Sequence, residues 1–450
     1  MKIVMVSDYL PELHSTWGGA EQACLRLANL LTKNGDKIYV ITTRPKKASF
    51  THAPRNSEAE SASGVSLQDF AFNHITLPVL EDFFPFRFKK IVRGIKTLVF
   101  PFDLFSYFSF KRYLKEIKPD IIHLHNMASL SFSLILAANK QRTPVLLTAY
   151  DYWFFCPVGF LWKLNNYFTF QGENCSEYHG SYCYDCLIQD SRISRLQMKI
   201  VKYLLPFRRM IFDFFLKRIS GFIILSQANA KAFESYQIKK DRIHVVHIPL
   251  GRKRNHHEFP IEKNSILFLG WLHPRKGLHV LIEAMKYVLK EVPEAKLYAI
   301  GGDYDGAYKE NIMANVSQYH MENNIFFLGK RPYDFVERYL KKAYVLVIPE
   351  QWETIAPNAL TEGMVYGKVV IASRIGGNCD IIKDNINGLL VEYDNPKDYA
   401  EKIISVLKND YLAYSLRENA RKKTHIFSEK NVYKELSSAY RKYSSKGNLN

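Results

Sequence analysis

No run of eighteen apolar residues, the length that a membrane-spanning helix needs, occurs in this 450-residue sequence. The pattern of a signal peptide is missing as well, because Met1 and Lys2 lead directly into an apolar strand pattern at Ile3–Val6. Cysteine is scarce, at six residues. We therefore expect a cytoplasmic protein in which the cysteines form no disulfide framework.

Acidic side chains are few in comparison with basic ones. The chain has 44 Asp and Glu against 62 Lys and Arg, which gives a formal net charge of +18. This excess predicts an anionic partner, which could be a nucleic acid, an acidic lipid or a phosphorylated substrate. The hydrophobic content of 47% is ordinary for a globular protein, and the length predicts two domains because it exceeds what one compact core accommodates.

Both halves of the chain repeat one pattern, in which short apolar runs typical of buried strands alternate with helical segments. The alternation predicts an α/β protein of two Rossmann-like, doubly wound domains that face each other across a cleft. Ligands are expected at the carboxyl ends of the strands. The predicted strands are Ile3–Val6, Lys37–Thr43, Ile121–His125, Val145–Thr148, Phe222–Leu225, Val245–Ile248, Ile266–Leu269, Ala295–Ile300, Ile325–Leu328, Tyr344–Ile348, Val369–Ser373 and Gly388–Val391.

The segment Gly251–Ser265 is charged, poor in apolar residues and broken by Pro260, and is predicted to link the two domains. A helix near the C-terminus is expected to pack back on the first domain. The predicted units are 1–220 with its last strand region 221–250, the linker 251–265, the second domain 266–425, and the C-terminal helix within 426–450.

The stretch Pro349–Gly377 carries the clearest functional pattern. Pro357 is predicted at the first helical position, where its fixed φ suits a helix and its missing N–H costs nothing. The next three amides would point out of the helix unpaired, beside the positive end of the helix dipole, where a phosphate can bind. These amides belong to Asn358, Ala359 and Leu360.

Two carboxylates flank this helix start. Glu353 precedes it by a short loop and Glu362 lies one turn inside it. A carboxylate is a poor partner for phosphate but a good double acceptor for the hydroxyls of a sugar. Helix amides together with flanking acids therefore predict a nucleotide-sugar site.

Two glycine-containing turns occupy equivalent places in the halves. Gly18 and Gly19 lie between the first strand and the first long helix, where glycine lets the backbone approach a phosphate or a sugar. The segment GWLHPRKG holds Arg275 and Lys276 before the corresponding helix of the second half. These cations are expected at the mouth of the cleft, where they would neutralise a leaving diphosphate.

Together these segments resemble glycosyltransferase family 4, the large group of retaining enzymes with the GT-B fold. The resemblance covers nearly the whole chain. It rests on PELHSTWGGAEQACLRLANLL near the start, PDIIHLHN at Pro119–Asn126, ILSQANAKAF at Ile224–Phe233, GWLHPRKGLHVLIEAM, and the stretch Pro349–Gly377.

The resemblance implies a nucleoside-diphosphate sugar as donor, bound mainly by the second domain, and an acceptor bound mainly by the first. It implies that Lys276 contacts the donor phosphates, that Glu362 holds the ribose, and that the outer glutamate holds the transferred sugar. No metal or other cofactor is implied for transfer. Retention is expected to follow attack from the leaving-group side, with a diphosphate oxygen taking the acceptor proton.

Three departures from the family pattern affect these roles. The paired glutamates usually have seven residues between them, but Glu353 and Glu362 have eight, so that either Glu353 or the hydroxyl of Thr354 takes the outer position. Trp271 stands where the family often has an arginine, and Arg275 is a candidate replacement. A histidine–aspartate pair common after the strand Val145–Thr148 reads Tyr150-Asp151 here. These two residues are candidate catalytic residues together with Glu353. Tyrosine can still donate a hydrogen bond, but it cannot act as an imidazole does at neutral pH.

Four cysteines lie close together in the sequence, in an aromatic and polar insert within residues 152–190. The last two have CxxC spacing, which predicts a structural zinc site with all-cysteine ligands; the alternative is four reduced thiols without metal. The candidate ligands are Cys156, Cys175, Cys183 and Cys186.

Two segments combine aromatic and basic residues. Residues 83–110 contain nine phenylalanines among five Lys and Arg, and residues 191–220 contain eight Lys and Arg against one acid. This composition is typical of amphipathic helices on an anionic membrane, although helices packed on the first domain with solvated basic faces would also explain it.

The combined evidence predicts a retaining glycosyltransferase at the cytoplasmic face of a membrane. Its predicted acceptor is a saccharide, lipid-linked or otherwise part of surface-polysaccharide assembly. The alternatives are a non-catalytic subunit that keeps the fold, and a sugar-nucleotide epimerase or phosphorylase of the same fold. Nucleic acid is not an expected partner, because the charge lies in aromatic amphipathic segments and not in a recognised nucleic-acid-binding module.

Overall fold

A computed structural model describes residues 1–11, 13–14, 18–44, 72–98, 101–127, 129–165, 172–175, 183–189, 195–250, 260–303, 306–355 and 357–444. Two parallel sheets of buried strands dominate the fold. The predicted α/β architecture with two doubly wound sheets is therefore confirmed.

The first sheet has seven strands in the order β3-β2-β1-β4-β5-β8-β9, all parallel to their neighbours. Its strands consist mainly of β-branched and leucine residues, which suit a sheet covered on both faces. The order reverses between β1 and β4, and that reversal opens a crevice at their carboxyl ends. The strands are β1 (Lys2–Val6), β2 (Lys37–Thr43), β3 (Asn73–Leu77), β4 (Ile121–Leu124), β5 (Val145–Thr148), β8 (Gly221–Ile224) and β9 (Ile243–Val245), while β6 (Trp162–Leu164) and β7 (Gly172–Asn174) form a separate antiparallel hairpin.

The second sheet has six parallel strands in the order β12-β11-β10-β13-β14-β15 and reverses in the same way between β10 and β13. The loops after these two strands therefore lie side by side at one edge of the sheet. The strands are β10 (Ser265–Leu269), β11 (Lys296–Ile300), β12 (Ile325–Gly329), β13 (Val345–Ile348), β14 (Val369–Ser373) and β15 (Leu389–Val391).

Helices connect the strands and cover both sheets. Within the described residues, none of them is long and apolar enough to cross a bilayer. The helices are α1 (Gly19–Lys33), α2 (Phe86–Leu98), α3 (Leu104–Ile117), α4 (Ser133–Lys140), α5 (Cys183–Gln189), α6 (Arg195–Leu216), α7 (Gln227–Ser235), α8 (Leu278–Glu291), α9 (Gly306–Gln318), α10 (Tyr333–Lys342), α11 (Asn358–Val365), α12 (Asn378–Ile381), α13 (Pro396–Lys408), α14 (Asp410–Lys423) and α15 (Glu429–Tyr443), with 3-10 turns at Leu80–Phe83, Lys240–Arg242, Pro274–Lys276 and Thr424–Phe427.

The C-terminal helix α15 packs on the first sheet and not on the second. Its buried residues Val432, Leu436 and Tyr440 belong to one hydrophobic cluster with β1 and α1. The Tyr440 hydroxyl also lies 2.7 Å from Nδ1 of His123 in β4. The chain therefore returns to the first domain after it has completed the second.

Most of the predicted strands are present, but one is displaced and three short strands were not predicted. The strand expected at Val245–Ile248 is wrong in position, because β9 ends at Val245. Neither β3 nor the β6–β7 hairpin was predicted, since both are short and only partly apolar. The predicted linker lies mostly outside the described residues, which resume at Pro260, and Ser265 already belongs to β10.

A buried ion cluster fixes α2 to the first domain. Lys96 Nζ lies 2.5 Å from a Glu81 carboxylate oxygen and 2.9 Å from an Asp103 carboxylate oxygen, and it donates to the Ser129 carbonyl at 2.5 Å. The carboxylate of Asp8 accepts hydrogen bonds from the backbone amides of Ser129 and Leu130. Burial raises the pKa of Asp8 to about 6, and the nearby cations oppose the rise.

Two basic residues of the aromatic segments are buried. Lys96 lies in the buried cluster, and Arg208 of α6 is buried with its guanidinium 3.9 Å from the centre of the Phe212 ring. Arg208 also donates to the carbonyls of Trp153 and Phe154. Buried charges remain only where such partners compensate for lost hydration. Residues 191–194 and 99–100 of these segments lie outside the described residues.

Lys96→Ala should lower the free energy of unfolding by about 3–5 kcal/mol, because it leaves two carboxylates buried without their cation. Urea unfolding followed by circular dichroism measures this loss. Lys33→Ala is the matched control, since Lys33 pairs with Glu429 at 2.5 Å on the surface, where such pairs contribute little. Equal effects of the two substitutions would contradict a structural role for the buried cluster.

Candidate active site

The starts of two helices meet across the cleft. Gly18 is the N-cap of α1, and its amide donates to Oε2 of Glu21 at 2.8 Å. A Cβ on Gly19 would lie 3.0 Å from the side-chain nitrogen of Asn358, the first residue of α11. Each of these helix ends has amides without intrahelical acceptors, so the region between them is electrostatically suited to an anion.

The start of α11 differs from the prediction by one position. Pro357 is the N-cap and not the first helical residue, with φ −69° and ψ 122°. The Leu360 amide donates to the Pro357 carbonyl at 3.0 Å, so the prediction that this amide is unpaired is wrong. The tight turn forms because proline fixes the backbone just before the helix. The Asn358 and Ala359 amides remain as the helix-start donors.

Glycine permits the loop Pro349–Ile355 to be enclosed by its neighbours. Gly277 has φ +70°, and a Cβ there would lie 1.7 Å from the Pro349 carbonyl oxygen. Gly376 has φ +51°, and a Cβ there would lie 2.3 Å from the Thr354 carbonyl oxygen. Any larger residue at either position would displace the loop that carries the predicted sugar-binding acid.

The two candidates for the outer position differ in exposure. Thr354 is buried, and its carbonyl accepts from the Gly377 amide at 2.7 Å. Glu353 is only partly buried, and burial raises the pKa of its carboxyl, while a hydrogen bond from the Gly376 amide and the charge of Lys231 oppose the rise. Of the two side chains, that of Glu353 is the more accessible to a ligand.

Glu362 lies one turn inside α11 in a poorly hydrated environment. Burial raises the pKa of its carboxyl to about 7, and the charge of Arg26 from α1 opposes the rise. Burial also raises the pKa of Tyr333 in α10, and the charge of Arg26 opposes that rise. An arginine of the first domain therefore faces the acid that was predicted to hold the ribose.

The predicted cation pair is split between two environments. The Lys276 ammonium pairs with the Glu350 carboxylate and lies 5.6 Å from the centre of the Trp352 ring. Arg275 is buried, and its guanidinium lies 3.6 Å from the centre of the Phe160 ring. An aromatic side chain of the first domain thus covers Arg275, and the predicted role of this arginine in neutralising the diphosphate stays a prediction. Trp271 remains exposed at the end of β10.

Tyr150 and Asp151 follow β5 and are held in different ways. The Tyr150 hydroxyl lies 2.8 Å from Nδ1 of the buried His125. Burial raises the pKa of Tyr150 well above its usual range. Burial also lowers the pKa of His125 well below the usual range, with the neighbouring His123 contributing, so the ring is neutral. Asp151 accepts the Trp153 amide at 2.9 Å, which orders the backbone turn.

A buried polar atom without a hydrogen-bond partner is uncommon in a folded protein. Among the described residues, such atoms include Glu350 Oε2 and Trp352 Nε1 on the second-domain loop and His125 Nε2 in the first domain. These atoms belong to segments that end at the cleft.

The four cysteines of the insert come near one another. None of the four forms a disulfide with another described residue. Burial raises the pKa of Cys183 to about 12 and that of Cys186 to about 11, with the charges of Cys156 and Cys175 adding to both shifts. Among the described residues, however, no three His, Cys, Asp or Glu side chains are arranged as ligands of one metal ion. Residues 166–171, 176–182 and 190 of this insert lie outside the described part, and the zinc site stays a prediction.

Sequence reasoning missed several residues at the cleft. Across the cleft, the charge of Arg26 lowers the pKa of Glu362 and the charge of Lys231 lowers that of Glu353, each against the effect of burial. The side chain of Asn174 accepts a hydrogen bond from the Glu353 amide at 3.1 Å. Asp380 accepts the Ala228 amide at 2.8 Å, which joins α12 to α7. No local pattern marks these residues, because each contact joins segments more than a hundred residues apart.

The arrangement defines a class of protein: two Rossmann-like domains of the GT-B type, with helix starts, a lysine and carboxylates gathered at the cleft. Family models agree with it. Residues 17–250 match the model described as Glycosyltransferase Family 4, and residues 251–423 match Glycosyl transferases group 1. The chain belongs to glycosyltransferase family 4, and the predicted family is confirmed.

Curated relatives of the chain align with only part of it. Over 184 residues the chain is 35% identical to an uncharacterized glycosyltransferase of Methanocaldococcus jannaschii, covering 39% of this chain and 49% of that protein. Over 149 residues it is 30% identical to the poly(ribitol-phosphate) alpha-N-acetylglucosaminyltransferase of Staphylococcus aureus, covering 33% of this chain and 29% of that protein. The chain thus spans less than half the length of these curated relatives.

A solved structure shares the fold over nearly the whole chain. The Anabaena protein HepE, in complex with UDP-glucose, superposes with a TM-score of 0.63 at 15% identity, covering 97% of this chain and 98% of that one. At this identity the likeness shows the GT-B fold.

Glu362→Gln should make the free energy of unfolding less dependent on pH. The raised pKa, about 7 against an ordinary 4.5, means that the folded state holds this proton more tightly than the unfolded state. Stability from this group is therefore fully present below pH 4.5 and is lost as the pH rises through 7.

Urea unfolding of both proteins at pH 5 and pH 8 measures the difference. The wild type should lose more stability than Glu362→Gln over this interval, while the exposed control Glu310→Gln should follow the wild type. Parallel pH curves for the wild type and Glu362→Gln would contradict the assigned burial effect.

Proposed function

We propose that this protein is a retaining glycosyltransferase that moves a sugar from a nucleoside-diphosphate sugar to a saccharide acceptor. The observation that carries the proposal is the convergence of Lys276, the start of α11 and the acids Glu353 and Glu362 at one edge of the second sheet. The fold supports it, because ligands of doubly wound sheets bind at the strand ends where the order reverses.

Each group has a chemical task in this proposal. Lys276 and the first amides of α11 hold the diphosphate and stabilise the charge that develops on it as it leaves. Glu362 accepts hydroxyls of the ribose, and Glu353 accepts hydroxyls of the transferred sugar. A diphosphate oxygen takes the acceptor proton as the new bond forms on the same side, which retains the configuration. The transfer needs no metal, since the cation and the amides compensate the charge.

Glu350 is the partner of Lys276 within the protein. Its carboxylate pairs with the ammonium and keeps the lysine in the cleft. A donor diphosphate carries more negative charge than one carboxylate and therefore competes for the same lysine. A uridine nucleotide is the first donor to test, because the structure of the Anabaena protein contains UDP-glucose.

Lys276→Ala should weaken UDP binding by about 10- to 100-fold, the loss of one charge-assisted hydrogen bond of roughly 1.5–3 kcal/mol. Isothermal titration calorimetry measures the affinity, and a screen of nucleoside-diphosphate sugars for donor hydrolysis identifies the sugar. Lys286→Ala is the control, because Lys286 pairs with Glu283 on the far part of α8. If the wild type binds no nucleoside diphosphate, the proposal fails and a non-catalytic role of the fold is favoured.

The acceptor is proposed to be a lipid-linked saccharide of surface-polysaccharide synthesis, used at the cytoplasmic face of a membrane. The activity named for the S. aureus relative, on a poly(ribitol-phosphate), supports a polymeric acceptor. Product analysis by nuclear magnetic resonance would establish whether the donor configuration is retained.

An exposed aromatic surface supports the membrane contact. The 3-10 turn Leu80–Phe83 packs on α2 and α3, and α2 packs on α6. Phe83 stacks on Phe105 with ring centres 4.1 Å apart, and both remain partly exposed. The exposed apolar residues of these elements are Phe83, Phe84, Phe88, Leu104, Phe105, Phe108, Tyr203, Phe207, Met210 and Phe214, and the exposed basic residues are Arg93, Arg112, Lys115, Arg209, Lys217 and Arg218.

The triple variant Phe84→Ser/Phe88→Ser/Phe108→Ser should reduce binding to anionic phosphatidylglycerol vesicles at least tenfold at low ionic strength. Exposed phenylalanines insert at the headgroup boundary while the basic residues attract the anionic lipid. Vesicle co-sedimentation measures the change. Tyr411→Ser/Tyr414→Ser is the control, because these tyrosines are more exposed but lie on α14 of the second domain. Wild-type protein that ignores the vesicles would contradict the membrane contact.

A further inference from the structure

The cysteine-bearing insert between β5 and α6 reaches from the first domain to the loop that holds Glu353. Its β6–β7 hairpin pairs Trp162 with Asn174, and the Cys175 amide donates to the Leu161 carbonyl at 2.7 Å. This register places Phe160 and Asn174 at the same end of the hairpin. Both residues contact the second domain from there.

Asn174 holds the backbone of the predicted sugar-binding acid. Its side-chain oxygen accepts the Glu353 amide at 3.1 Å. The insert therefore fixes the backbone of Glu353 from the opposite side of the cleft.

Phe160 lies between two residues of the second domain. Its ring centre is 3.6 Å from the Arg275 guanidinium carbon, and it meets the Trp352 ring edge to face at 5.3 Å. Arg275 precedes Lys276, and Trp352 precedes Glu353. One aromatic side chain of the insert therefore touches the neighbours of both the phosphate-binding lysine and the outer glutamate.

The insert is itself anchored in the first domain. Its helix α5 packs on α6 and on β6. Arg208 of α6 donates to the carbonyls of Trp153 and Phe154 at the beginning of the insert. A contact made by Asn174 or Phe160 is consequently a contact of the first domain with the donor loops.

We propose that Asn174 and Phe160 are positioning residues of the transfer reaction, which join the two domains in the arrangement that places Glu353 at the transferred sugar. The inference rests on the proposed function. Asn174 acts on Glu353 by holding its amide, and Phe160 acts on Arg275 and Trp352 by packing between them. Neither residue is needed to hold the nucleotide, so their loss affects the turnover of the bound donor and not nucleotide affinity.

Asn174→Ala should lower the turnover number for transfer or donor hydrolysis about 10- to 100-fold, because displacement of a reacting group by about 1 Å costs up to 10²-fold. Phe160→Ala should have an effect of the same order. UDP affinity, measured by calorimetry, should stay within about twofold of the wild type for both. The donor is the nucleoside-diphosphate sugar that the wild type hydrolyses.

Two further variants separate positioning from general folding. Asn174→Asp keeps an acceptor oxygen for the Glu353 amide and should restore most of the lost turnover. Glu173→Ala changes the adjacent exposed residue of β7, which pairs only with Lys163 among the described residues, and should behave as the wild type. Melting temperatures of all variants should agree within a few degrees.

The outcomes distinguish this inference from the proposed function. If the wild type binds UDP and hydrolyses a donor, but Asn174→Ala and Phe160→Ala turn over at the wild-type rate, the positioning role is wrong while the function stands. The same conclusion follows if Asn174→Asp is as slow as Asn174→Ala. If the wild type binds no nucleotide, the proposed function has failed first, and the inference with it.

Discussion

The close approach of three backbone loops at one edge of the second sheet is the constraint on which the site depends. The loop Pro349–Ile355 is enclosed by the turn at Gly277 and by the turn at Gly376, and each turn needs a residue without a side chain. Because the strands β10, β13 and β14 are neighbours in the sheet, their carboxyl-end loops must share this space. The enclosure brings Lys276, Glu353 and Glu362 to one cleft.

Two of the candidate functional groups have neighbours of opposite charge within the protein. Lys276 pairs with Glu350, and Arg26 of the first domain faces Glu362. Burial raises the pKa of Glu362 to about 7, so this acid is only partly ionised near neutral pH. The lysine and the acid therefore each have an oppositely charged group of the protein beside them.

The sequence predicted much of the fold and the main groups of the site. Buried strands such as Val369–Ser373 were located from continuous β-branched runs, and Lys276 and Glu362 from their places beside a glycine turn and a helix start. Short and partly polar strands, such as β3 and the β6–β7 hairpin, were not predicted, because three to five residues of mixed polarity show no distinct hydrophobic periodicity. The unpaired amide expected at Leu360 was wrong, since one position in the helix start decides which amide is used.

What the sequence by itself determined is the repeated α/β pattern, the family, and the segments that carry the chemistry, because these depend on local composition and spacing. Tertiary structure alone decided which residue meets which across the cleft. It buried Lys96 and Arg208 of the aromatic and basic segments and covered Arg275 with Phe160. It also joined Asn174 to Glu353, 179 residues apart. Such pairings follow from how two sheets and an insert pack together, and no local pattern encodes a contact between distant segments.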